Sequence, residues 1–78
     1  MNKEYITQKA EEYKTSMLAI DSNFPITHEA MALSVWTQMN PMQRYEIMQS
    51  IEKMPKSLAS KQKVCLSKIV EIIKEGIQ

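Results

Sequence analysis

The chain has 78 residues, 44% of them hydrophobic and 24% charged, and its formal net charge is +1. That length holds one domain, 1–78, and the apolar content sets it apart from disordered chains. One glycine in the whole chain leaves too little turn chemistry for an all-β fold, and one cysteine, Cys65, excludes an intramolecular disulfide.

The first predicted helix covers about residues 3–21. Its apolar positions Ile6, Ala10, Tyr13, Met17 and Ile20 recur at helical spacing and form a narrow seam. Two heptads are too few to hold a coiled coil, so this seam must dock on the rest of the protein or on another chain. Asp21-Ser22-Asn23 offers turn chemistry, and Phe24-Pro25 closes the segment.

Thr27 is the expected N-cap of a second helix, 28–39, with Glu29 placed where the helix dipole favours an acid. From Ala30 to Met39 no charged residue occurs, and the apolar side chains cover more than half the circumference. Such a helix is buried on several sides. It is expected at the centre of the core, with Trp36 as the largest single contributor to buried area.

Asn40-Pro41-Met42-Gln43 is the sharpest local signal. Asparagine caps, proline fills the first helical position, and glutamine at the third completes a capping box. The third helix is expected over 41–53, with Tyr45, Ile47, Met48, Ile51 and Met54 on its core face. Arg44 falls inside that apolar arc, and Met42 lies on the polar side. Pro55 ends the segment, and Ser57 caps a fourth helix, 58–75. Leu58, Cys65, Leu66, Ile69, Val70, Ile72, Ile73 and Ile77 form its core stripe, Val64 stands among lysines, and Gly76 reads as a C-cap. The fold class is therefore all-α: a small bundle of four helices with the second one central.

Little is left for chemistry. One histidine and one cysteine far apart make no metal-ligand cluster, and no cofactor motif is present. His28 reads as a first-turn residue and Cys65 as a small buried hydrophobe. The Ser-x-x-Lys spacing occurs at Ser50–Lys53 and at Ser60–Lys63, without the companion motifs of a serine acyl enzyme. No acid/base pair can be named, and an enzyme is not expected. There is no secretory signal and no stretch of the ~20 apolar residues that a membrane span requires, so the expected location is cytoplasmic.

The charge distribution is lopsided. Residues 53–70 carry Lys53, Lys56, Lys61, Lys63 and Lys68 and no acid, whereas residues 1–29 hold more acids than bases. Acidic and basic helices packed as neighbours would account for this; so would an electrostatic face for an acidic partner. Seven methionines suit either an irregular core or an adaptable binding surface.

The expected function is that of a small protein–protein interaction module: a regulator, adaptor or inhibitor, of a kind frequent in phages and mobile elements. Its expected contacts are Met42, Arg44, Lys53, Lys56, Lys61, Lys63 and Val64. A homodimer through the helix 1 seam is a further expectation. The alternative is nucleic-acid binding through the basic 53–68 segment. It is weakened by Glu46 and Glu52 on the third helix and by the lack of aromatic residues among the lysines.

Overall fold

Each connection between helices ends on a residue whose side chain caps the next helix. The computed structural model describes residues 3–77, of which 76% are helical, and among them there is no strand. Helix α1 spans Lys3–Ile20, α2 His28–Gln38, α3 Pro41–Gln49 and α4 Leu58–Gly76. Thr27 accepts a hydrogen bond from the Ala30 N–H at 3.0 Å, and Ser57 accepts one from Ser60 at 3.2 Å. The capping box is complete: Gln43 N–H donates to Asn40 Oδ1 at 2.8 Å, and Asn40 N–H donates to Gln43 Oε1 at 2.9 Å.

The third helix stops at Gln49, short of the expected Lys53. Its last turn tightens, with Ser50 N–H shared between the Glu46 and Ile47 carbonyls and Ile51 N–H donating to Met48 at 3.2 Å. The Ser50 hydroxyl also donates to the Ile47 carbonyl at 2.6 Å. Pro55 lacks an N–H to continue the ladder and disfavours helical geometry at Met54. A helix running to Lys53 would have ended on carbonyls with no donors.

The core joins Ile6 and Ala10 of α1, Met31, Ala32, Val35 and Trp36 of α2, Met39 at its cap, Ile47 of α3, and Cys65, Ile69, Ile72 and Ile73 of α4. Among the described residues no polar or charged side chain is buried. Helix α2 packs against both α1 and α4, with Leu33 left 47% exposed on its outer face, while α4 touches all three other helices. Met48 and Met54 are half-buried against this core and Met17 is half-buried on α1, whereas Met31 and Met39 are inside the core.

Four expected core or cap positions come out differently. Ile20 is 80% exposed. Helix α2 lies with its C-terminus beside the start of α1, where the Tyr5 hydroxyl is 3.5 Å from the Gln38 carbonyl oxygen. At 1.5 Å per residue, the 11-residue α2 is about 10 Å shorter than the 18-residue α1, so the last turns of α1 outrun it. Tyr45 is 57% exposed because Ile47, wholly buried, sits two residues on and thus about 200° around the helix. Leu58 is 82% exposed: it lies on the core stripe of α4 but in its first turn, beyond the early end of α3. Gly76 is the last helical residue rather than a left-handed cap, and no residue described has a positive φ. Its small size serves packing, since a Cβ there would lie 2.6 Å from Thr7 Oγ1 on α1.

Candidate interaction groove

The end of α2, one face of α3 from Arg44 to Met48 and the first turns of α4 meet around an open groove of about 410 Å³. Trp36 and Thr37 come from α2, Arg44 and Met48 from α3, and Leu58, Lys61, Gln62 and Cys65 from α4. The helix periods explain the grouping. Arg44 and Met48 are one turn apart on α3, and on α4 Lys61 and Gln62 lie three and four residues after Leu58 and four and three before Cys65, so all four share one face.

Arg44 is the organising residue. Its guanidinium lies 4.8 Å from the centre of the Trp36 ring, in cation–π geometry. The same group donates Nε–H and one Nη2–H to the Trp36 backbone carbonyl, at 3.2 and 2.9 Å. That carbonyl belongs to the last turn of α2, where acceptors are left over and the dipole favours a cation. The Arg44 side chain thus fastens α3 to the C-terminal end of α2, which accounts for a charged residue within an apolar arc.

The groove's floor and walls are apolar and its rim is basic. Cys65 is wholly buried at the base, and burial pushes its thiol above the ordinary value of 9.0. Trp36 is 7% exposed, Met48 is half-buried, and Leu58 forms an exposed wall. Lys61 is half-buried and lines the groove with Arg44, and no carboxylate belongs to the lining. Lys9 and Glu12 of α1 form an ion pair at 3.2 Å, and neither lines this groove.

Of the contacts expected from the sequence, Arg44 and Lys61 are brought together in this groove. Lys63 sits two residues from Lys61, on the opposite side of α4, and lines a second groove with Glu29, Leu66, Val70, Glu71 and Lys74. Val64 is half-buried beside Ile51, Lys68 and Glu71. Met42 is 67% exposed outside both grooves, and Lys53 and Lys56 are exposed in the connection before α4. The basic segment is therefore spread around α4 rather than gathered on one face.

Sequence reasoning missed Trp36, Met48 and Leu58 as surface-lining groups because all three lie on core stripes. No local signal marks Leu58, because whether a first-turn stripe position is covered depends on where α3 ends. Compared with known proteins, the chain matches no family model, no curated sequence and no solved structure at a significant level. Among the described residues no helix is long and apolar enough to cross a membrane, and no three potential metal ligands converge.

Proposed function

We propose that this chain is a non-enzymatic binding module, a regulator, adaptor or inhibitor that holds a partner protein in the groove between α2, α3 and α4. The observation that carries this reading is the exposed Leu58 wall beside Trp36 and Met48, with Arg44 and Lys61 at the rim. Tryptophan and arginine are among the side-chain types that dominate binding energy at protein interfaces, and Leu58 adds exposed apolar area beside them. Met48 adds a side chain able to adapt to its ligand. Cys65, at the base of the groove, is wholly buried and its thiol is pushed above the ordinary value, which does not favour a reactive thiolate there. A lone reduced cysteine also fits the cytoplasmic setting proposed here. Nucleic-acid binding is less well supported, because Lys61 and Lys63 diverge around α4 instead of forming one phosphate-facing row.

The test is quantitative affinity capture from the source cells with wild-type chain, Leu58→Ser and Lys61→Glu. A partner lost with both variants and retained by Lys53→Glu is the expected result. A partner profile unchanged by Leu58→Ser and Lys61→Glu would remove the groove from the function.

A further inference from the structure

The groove has the chemistry of a receptor for one class of ligand, and we infer that its occupant is an acidic amphipathic helix that inserts a single bulky apolar side chain between Trp36, Met48 and Leu58. The inference rests on the groove being a partner site, and it adds the partner's chemistry.

Size comes first. At about 410 Å³ the groove lies near the small end of ligand sites, which run from roughly 300 to 1,000 Å³. It has room for an anchor side chain and its immediate neighbours, not for a broad flat interface. Peptides that dock by adding a strand need an open sheet edge, and the described residues have no strand. A helix that lays an apolar row into a groove between helices, with charges flanking the row, matches an apolar lining with a basic rim.

Charge then selects the ligand. Arginine has five N–H donors in a fixed fork. Arg44 commits two of them, Nε–H and one Nη2–H, to the Trp36 carbonyl. The Nη1 pair and the second Nη2–H remain, and together they form the end-on face that accepts a carboxylate through two parallel bonds. The stacking on Trp36 and the bonds to its carbonyl hold the guanidinium in place before a ligand arrives, so less freedom is lost on binding. Lys61 supplies a second cation on the same lining, which includes no acid. An acidic ligand meets two partners there and no repulsion; a basic one meets two like charges. The second groove, lined by Glu29, Lys63, Glu71 and Lys74, carries balanced charge and makes no such selection.

Trp36 is the only tryptophan, and it stands both in the core and in the groove's lining, so tryptophan emission follows this end of the bundle and no other. The experiment titrates the full chain with three synthetic helical peptides of one length. The first has a leucine and phenylalanine row flanked by glutamates. The second has lysines in place of the glutamates, and the third has serines in place of the apolar row. The first peptide is expected to shift Trp36 emission to shorter wavelength and to saturate. The other two are expected not to saturate in the same concentration range. Lys61→Glu should weaken the first peptide by about tenfold or more, a typical loss for a close charge pair at an interface. Leu58→Ser should do likewise, and because both side chains reach the surface, circular dichroism should show an unchanged fold.

Equal binding of the glutamate and lysine peptides would overturn the acidic selection while leaving a protein-binding groove. No emission shift with any peptide would overturn the helical occupant. If cellular capture still depended on Leu58 in that case, the broader reading would survive; if it did not, both would fall. Displacement of the glutamate peptide by a DNA duplex, lost at moderate salt, would replace the inference with nucleic-acid binding. Sedimentation showing that saturation merely splits a dimer would assign the groove to a second copy of the chain.

Discussion

Arg44 and Trp36, eight residues apart in sequence, hold each other at two points: the guanidinium covers the indole ring at 4.8 Å and donates twice to the same residue's carbonyl oxygen. The carbonyl also receives the Met39 N–H, so the arginine supplements a cap that the backbone already makes. Its larger role is to set the position of α3. Arg44→Met is expected to lower stability by about 1–3 kcal/mol, the range for charge-assisted hydrogen bonds together with a partly desolvated cation–π contact. Arg44→Lys should recover less than half of that loss, because an ammonium lacks the planar fork. Urea titration checks both through the midpoint at unchanged slope. Full recovery with lysine would mean that charge alone matters at this position.

Trp36→Ala should unfold the chain or nearly so. Truncating a buried tryptophan costs about 3–5 kcal/mol, against a total of roughly 5–15 kcal/mol for a typical domain. Trp36→Phe keeps a ring beneath Arg44 and should cost less. Thermal melts followed at 222 nm separate the two. An alanine variant melting within a few degrees of wild type would show that α2 is not the core helix.

Gly76 offers a test in which the sign of the effect depends on a second residue. Replacing a helical glycine by alanine ordinarily stabilises by about 0.5–1 kcal/mol. Here the added Cβ would stand 2.6 Å from Thr7 Oγ1 and 3.1 Å from Thr7 Cγ2. Crowding of that kind costs about 1–3 kcal/mol, so Gly76→Ala should destabilise the protein by about 1 kcal/mol. In a Thr7→Ala background the same substitution should be neutral or stabilising. A double-mutant cycle with no coupling would show that the two helices are free to separate at this point.

Cys65 predicts a pH dependence. Burial raises its pKa in the folded chain above the ordinary 9.0, so the unfolded chain loses the thiol proton first. The stability tied to the neutral thiol is complete below that value and is lost as pH rises through the folded one. Lysines and tyrosines titrate in the same range, so the comparison is with Cys65→Ala. The stability difference between wild type and variant should be constant from about pH 7 to 8.5 and narrow above about pH 9. A difference that stays constant at higher pH would place the thiol in contact with water.

The features legible in the sequence are those that need only near neighbours. Thr27, Asn40 and Ser57 were recognisable as caps because each bonds a backbone N–H three residues on. Val35 and Ile69 were recognisable as core because helical periodicity alone places them inward. Ile20 and Leu58 fail because their cover depends on how far a different helix extends, which local pattern does not encode. Tyr45 fails for a nearer reason: its angle to Ile47 already put the two on opposite sides of α3. Arg44 stood out as an anomaly within an apolar arc, but its partner could be found only once α2 and α3 were set against each other. The groove follows the same rule, since its lining comes from three helices whose mutual angles are a tertiary outcome.

The reach of α4 to all three other helices also dictates an order of events during synthesis. Cys65, Ile69, Ile72 and Ile73 close the core, and they are translated after every residue they cover. At roughly 5–20 residues per second, the nascent chain holds Met31, Val35 and Trp36 without their main cover for about a second or more before α4 clears the ribosome. A chain cut short before residue 58 and released would keep that apolar surface uncovered, which makes it a client for chaperones in a way the folded chain is not.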